Sequence, residues 1–218
     1  IRSMRDVLLW ALRRSTARWD YGRIAAMAQE ALADVLIDGY MMEEPHEQLS
    51  PTEWVTERLL EHLPLSAHMG PEGMYWVPWR YGATAADAIA HIDATDGQQA
   101  VRLSPVSSSG RDQVATTVDV GYEHDGRTGG PASHIVATGD PVELAEPDAE
   151  RQPWLVDAYA RHDRGQTMTA DLPLVSAAES AYHVLSALAR HASEQRHTYH
   201  YAVSQRMAGR VLEGDVVT

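Results

Sequence analysis

Apolar positions recur at helical spacing from the start of the chain. Met4, Val7, Leu8, Ala11 and Leu12 form one stripe, and Ser3 with Asp6 has the form of a capping box, so a helix is predicted from Met4. Residues 15–22 interrupt the pattern. It resumes with Ile24, Met27, Ala28, Ala31, Leu32, Val35 and Leu36, which predicts a second helix over 21–38 closed by Gly39. The two read as an αα-hairpin or as one kinked helix. Ser50-Pro51-Thr52-Glu53 combines a capping hydroxyl, a proline suited to the first helical position and a closing glutamate. The helix it opens carries Trp54, Val55, Leu59 and Leu60 and stops at Pro64.

The period then changes from helical to alternating. Met74 to Tyr81 reads as a strand with Tyr75, Val77, Trp79 and Tyr81 on one face, and Pro78 assigns it to a sheet edge or a bulge. Thr84 with Asp87 predicts a short helix to about Ala94, residues 100–103 a short strand, and 104–112 a polar loop. Val114, Thr116, Val118, Val120 and Tyr122 alternate cleanly, and 134–138 returns across a Gly-rich turn as the hairpin partner. Residues 139–152 read as an exposed acidic loop, 153–162 as a helix and 167–172 as a strand. Ser176 with Glu179 opens a last helix carrying Ala181, Val184, Leu185, Leu188 and Ala192. His197 to Val203 fits either a strand or a continuation of that helix. The expected fold class is α+β: N-terminal helices, a central antiparallel or mixed β-sheet, and a C-terminal helix packed on it. The expected division is an N-terminal helical segment, 1–68, and an α+β body, 69–218, together forming one compact unit.

Composition narrows the function classes. Hydrophobic residues make up 44% of the 218 and charged residues 22%, which is the balance of a globular chain. No apolar run approaches a membrane span, and Val7 to Leu12 is too short for a signal-peptide core. A cytoplasmic protein is expected, or a virion component if the gene is phage-borne. The absence of cysteine removes disulfides, thiolate zinc sites and cysteine nucleophiles. Lys, Asn and Phe are missing too, a bias that points to a gene of high GC content, from a bacterium or its phage. The chain opens on Ile1 rather than Met, so a trimmed or processed start is expected.

Net charge is −13, which makes nucleic acid an unlikely partner for the molecule as a whole. The charge is unevenly placed. Arg2, Arg5, Arg13, Arg14, Arg18 and Arg23 face only Asp6 and Asp20 within residues 1–23, whereas 30–61 holds Glu30, Asp34, Asp38, Glu43, Glu44, Glu47, Glu53, Glu57 and Glu61 against Arg58.

Signatures of catalysis are sparse. There is no Gly-x-Ser-x-Gly elbow. Ser107-Ser108-Ser109-Gly110-Arg111 has the donors of an anion nest but equally the composition of a loop. Asp125 to Gly130 lacks the lysine of a phosphate loop and reads as a hairpin tip. His183, His191, His197 and His200 are the densest histidine cluster, and Glu61, His62 and His68 form a second set. A divalent metal on His191, His197 and His200 requires one continuous helix, because only there are His197 and His200 neighbours on a face. The bland alternative is surface histidines, with no cofactor.

Interface chemistry is denser. Tyr75, Trp76, Trp79, Arg80 and Tyr81 crowd together, and Trp, Tyr and Arg carry most of the energy at protein contacts. On an edge strand their rings would be reachable from outside; the competing reading is core aromatics that fill space in a chain without Phe. Arg13, Arg14 and Arg18 on the first helix form the second candidate surface, docking on an acidic patch. The leading expectation is therefore a non-enzymatic interaction or assembly subunit that binds another protein or itself. The alternatives are a small metal-dependent or ligand-binding enzyme domain with a His/Arg-lined pocket, and a nucleic-acid-associated accessory protein.

Overall fold

Helix α1 (Met4–Leu12) follows a two-residue strand, β1 (Arg2–Ser3), and buries Met4, Leu8, Ala11 and Leu12, the stripe its spacing predicts. These relations come from a computed structural model, which describes residues 2–37, 50–79, 85–92, 100–103, 105–110, 113–125, 127–142, 149–162, 166–205, 211 and 217. Ser3 does not cap α1. Its hydroxyl donates instead to the carbonyls of Leu32 and Ala33, at 3.3 and 2.9 Å. Those carbonyls lie at the end of α2 (Tyr21–Ala31), where intrahelical donors run out.

The second helix is shorter than predicted. It stops at Ala31, and Leu36–Ile37 forms β2, antiparallel to β1. Val35 and Ile37 are buried while Leu36 between them is exposed, so residues 35–37 obey the strand period. Val and Ile are stiff at χ1 and suit that conformation, and the apolar positions 35 and 36 had been fitted equally well by a helical stripe.

Ser50 does cap as predicted. Its hydroxyl accepts from the Glu53 N–H at 3.2 Å while the Glu53 carboxylate accepts from the Ser50 N–H at 2.8 Å. These hydrogen bonds hold the Glu53 carboxyl below its usual range, the backbone donor being the larger cause. Their contribution to stability is present above the ordinary carboxylate pKa and is lost as pH falls through the lowered one. Helix α3 (Pro51–Trp54) continues as a π-helical turn, Val55–Leu59. The wider turn lets Trp54, Val55, Leu59 and Leu60 all reach the interior.

Strands β3 (Leu65–Gly70) and β4 (Gly73–Pro78) form an antiparallel hairpin that packs on α2. The next sheet has the order β10-β7-β8-β9. Its centre is the hairpin of β7 (Ala115–Asp125) and β8 (Gly130–Thr138). On one side β9 (Ala149–Arg151) runs parallel to β8, and on the other β10 (Gln166–Asp171) runs parallel to β7, so the sheet is mixed. Helices α4 (Pro153–His162) and α5 (Ala178–Ala192) pack on β7 and β8. Val118, Val120, Ala137 and Ala170 share the covered face and are buried. Helix α5 starts without a side-chain cap from Ser176, contrary to the predicted box. The fold is α+β, as expected.

The chain divides into two compact units. The first, 1–79 with 112–194, contains every element named so far and one contiguous apolar core running from Met4 to Ala192. The expected boundary at 68–69 falls inside β3. The second unit, 80–111 with 195–218, holds a short 3-10 turn (Ala85–Asp87) where a helix to Ala94 was predicted. Its strands are β5 (Ala100–Arg102) paired with β12 (Tyr201–Val203) and β6 (Ser107–Ser108) paired with β11 (His197–Thr198), both antiparallel. Residues 197–198 and 201–203 are thus strand, and no helix runs through 197–203. Outside residues 100–102, no described residue of this unit is buried.

Gly73 shows how tightly the first unit is joined. It adopts φ +139°, and a Cβ there would stand 2.5 Å from the carbonyl oxygen of Arg18. Gly129 also has positive φ (+69°) but has open space around it. Gly73→Ala is expected to cost about 3 kcal/mol, from backbone strain plus overpacking. Gly129→Ala should cost about 1 kcal/mol, from the left-handed backbone alone. Urea denaturation of both variants checks this; equal losses would contradict the close approach at Gly73.

Candidate functional site

The aromatic strand was the first candidate surface, and its leading rings are not accessible. Tyr75 is 1% exposed and Trp76 4%. Trp76 stacks on Trp19 at 5.2 Å between centroids, and the Arg23 guanidinium lies 4.7 Å from the centre of the Tyr75 ring. The outer edge of β4 is occupied as well. The Met74 N–H donates to the Arg18 carbonyl, and the Asp20 N–H donates back to the Met74 carbonyl, each at 3.0 Å. Tyr75 and Trp76 are therefore interior and the free edge is paired at Met74, so these two rings are not reachable from outside as expected of an edge strand. The burial pattern also departs from strict alternation, because adjacent residues Tyr75 and Trp76 are both interior. Trp79 is half-buried: it stacks on His191 at 3.4 Å and its indole N–H donates to the Ser66 hydroxyl at 2.8 Å. Arg80 and Tyr81 lie outside the described residues.

The N-terminal arginines fare differently. Arg5 pairs with Asp6 and donates to Gln29, Arg18 reaches Glu72, and Arg23 pairs with Asp20, the residue whose carboxylate caps α2. Arg13 and Arg14 close α1, are exposed, and have no carboxylate partner among the described residues. Arg14 lies over the ring of Trp10, 3.9 Å from its centre, and donates to the Trp10 carbonyl at 3.1 Å. Trp10 itself is 45% exposed, one helical turn before Arg14. Tyr21, also exposed, donates its hydroxyl to the Leu12 carbonyl at 2.9 Å and borders the same helix end. The surface thus consists of Trp10, Arg13, Arg14 and Tyr21. Sequence reasoning found its arginines and missed Trp10, although Trp10 lies off the apolar stripe of α1 and that position was the available signal.

The histidines do not converge. Helix α5 ends at Ala192 and His197 lies in β11, so the continuous helix needed to align His197 with His200 does not form. His191 is held against Trp79. Among the described residues no group of three or more His, Asp or Glu side chains is placed to hold a metal ion. The set around Pro64 is also split: His62 stands 3.9 Å from Glu61, and His68 lies against the Tyr75 ring.

Two carboxylate–imidazole pairs appear instead on the four-stranded sheet. His134 Nδ1 donates to Asp119 Oδ1 at 2.9 Å, and His124 Nε2 to Asp171 Oδ2 at 3.2 Å. The other Asp171 oxygen is shielded from solvent and has no hydrogen-bond partner among the described residues. Asp171 borders a shallow, open cleft also lined by Arg58 and His62. A carboxylate of this kind fixes an imidazole's orientation, but neither pair has a nucleophilic hydroxyl within hydrogen-bonding distance among the contacts described, so acyl-transfer chemistry has no third member. No described helix is long and apolar enough to cross a membrane. Comparison with family models and with curated proteins finds nothing that matches this chain.

The two tryptophan environments give opposite expectations. Trp76→Ala should cost about 3–5 kcal/mol, because a large ring leaves a packed interior. Trp10→Ala should stay within about 0.5 kcal/mol of the parent. Chemical denaturation of the two variants decides it; a large loss at Trp10 would mean that this ring is structural.

Proposed function

We propose that this protein is a non-enzymatic assembly subunit that associates with further copies of itself through the end of α1. One observation carries the reading: an exposed indole with the Arg14 guanidinium over it stands at a helix end beside exposed Arg13, while Arg5, Arg18 and Arg23 engage groups of their own unit. Trp and Arg are the side chains that concentrate binding energy at interfaces, and Arg14 already holds the Trp10 ring in one orientation. The complementary surface is acidic. Glu30, Asp34, Glu53, Glu57 and Glu61 are exposed on the same unit, within a segment that carries nine acids and one arginine. Unlike patches on one chain make a heterologous contact, which closes into a ring or extends as a filament. A cytoplasmic or virion setting accords with this role and with a chain free of cysteine.

Light scattering coupled to size exclusion tests the reading. At about 0.05 M salt the mass should exceed that of one chain, and at about 0.5 M it should fall, because exposed charge pairs are screened. Arg13→Glu with Arg14→Glu should yield a monomer with unchanged circular dichroism. A parent protein that stays monomeric across concentration and salt would refute self-assembly.

A further inference from the structure

The four-stranded sheet ends at β10, an edge strand of six residues. Its hydrogen bonding follows by parity. The Leu172 N–H donates to the Gly121 carbonyl at 2.9 Å and the Gln166 N–H to the Val114 carbonyl at 3.2 Å, so Gln166, Met168 and Ala170 turn their backbone groups toward β7. Thr167, Thr169 and Asp171 turn theirs to the outer edge. Among the described residues no strand lies along that edge, and no group bonds to the N–H or C=O of these residues. The devices that blunt a free edge are missing from the strand's middle. Gln166 to Ala170 holds no charge and no proline, and the one register shift lies at the start, between Gln166 and Thr167. The opposite edge strand, β9, has three residues and carries Glu150 and Arg151. Thr167 and Thr169 are exposed, so solvent reaches the polar face of β10 as well.

We propose that β10 pairs antiparallel with β10 of a second copy, about a two-fold axis at Thr169. The strand is self-complementary in that register. Thr169 meets its own image, Thr167 meets Asp171, and each outward residue donates one hydrogen bond and accepts one. Opposed threonines share a hydroxyl hydrogen bond, and the one charge of the strand faces a hydroxyl instead of its own image. On the covered face Met168, partly buried against the core, comes opposite buried Ala170, a large side chain against a small one. The apolar layer thus continues across the axis. This fit commits the edge to a second copy of the chain. A two-stranded contact of this length is marginal by itself. Assembly through α1 raises the effective concentration of one β10 about another. The inference therefore rests on self-association through α1 and names the second contact which that association recruits. A head-to-tail contact and a two-fold contact together join rings or filaments in pairs.

Amide hydrogen exchange of the full chain is the test. At about 0.05 M salt the N–H groups of Thr167, Thr169 and Asp171 should exchange about 10-fold or more slowly than in the monomeric variant Arg13→Glu with Arg14→Glu. Raising the salt to about 0.5 M should release the same amides, a comparison that needs no substitution. Met168 and Ala170, bonded to β7, should be equally protected throughout. Thr169→Lys sets like charges against each other at the axis, and so does Thr169→Glu. Each alone should abolish the protection of Thr167 and Asp171, and an equimolar mixture, which sets Lys against Glu, should restore it. A parent that assembles by light scattering while Thr167 and Thr169 exchange as fast as in the monomeric variant would overturn the β10 contact and leave the α1 contact standing. A parent that never assembles would overturn both. Slow exchange of these amides in the monomeric variant would assign the edge to the chain itself and overturn the proposal. So would a mixture of the lysine and glutamate variants no better protected than either alone.

Discussion

Two backbone hydrogen bonds between the α1–α2 connection and β4 hold the first unit together. Arg18 and Asp20 exchange an acceptor and a donor with Met74, and Gly73 provides the close approach that no residue with a Cβ could make. Trp19, between them, stacks on Trp76. The exchange turns the free edge of a two-stranded hairpin into a paired edge, which removes a site for chance strand pairing. It also places two indoles and a phenol inside one core, where a chain without Phe needs large rings. The aromatic cluster that looked like an interface is therefore what joins the helical start of the chain to its hairpin.

Long periodic segments were legible in the sequence. The stripe of α1, the alternation of β7 and the apolar face of α5 all stand where their spacing put them, because each buries a face wide enough to decide the conformation. Short motifs were less reliable. Four stretches had the form of a capping box, at Ser3, Ser50, Thr84 and Ser176; Thr84 lies outside the described residues, and of the other three only Ser50 closes one. At Ser3 the hydroxyl is drawn to the carbonyls at the end of α2, a long-range partner that no local pattern reveals. At 35–37 two periods fitted the same apolar residues, and pairing with β1 chose the strand. The exposure of Trp10 and the burial of Tyr75 and Trp76 depend on which elements meet in space. Residue type alone could not separate an aromatic that stays exposed from one that packs.

Charge behaves in the same way. The balance over the whole chain is acidic, and the charges are unevenly placed along it. Arg5, Arg18 and Arg23 are drawn into contacts with their own unit, and Arg14 lies over an indole. The carboxylate–imidazole pairs of the sheet, by contrast, are oriented by single contacts between neighbouring strands.

The account rests on the join between Arg18–Asp20 and Met74, and amide hydrogen exchange measures it residue by residue. The N–H groups of Met74 and Asp20 are predicted to exchange only through global unfolding, at the same slow rate as those of Val118 and Val120 in the central strand. Exchange of Met74 and Asp20 at the rate of an open loop, with Val118 and Val120 still protected, would contradict it and return the aromatic strand to the surface.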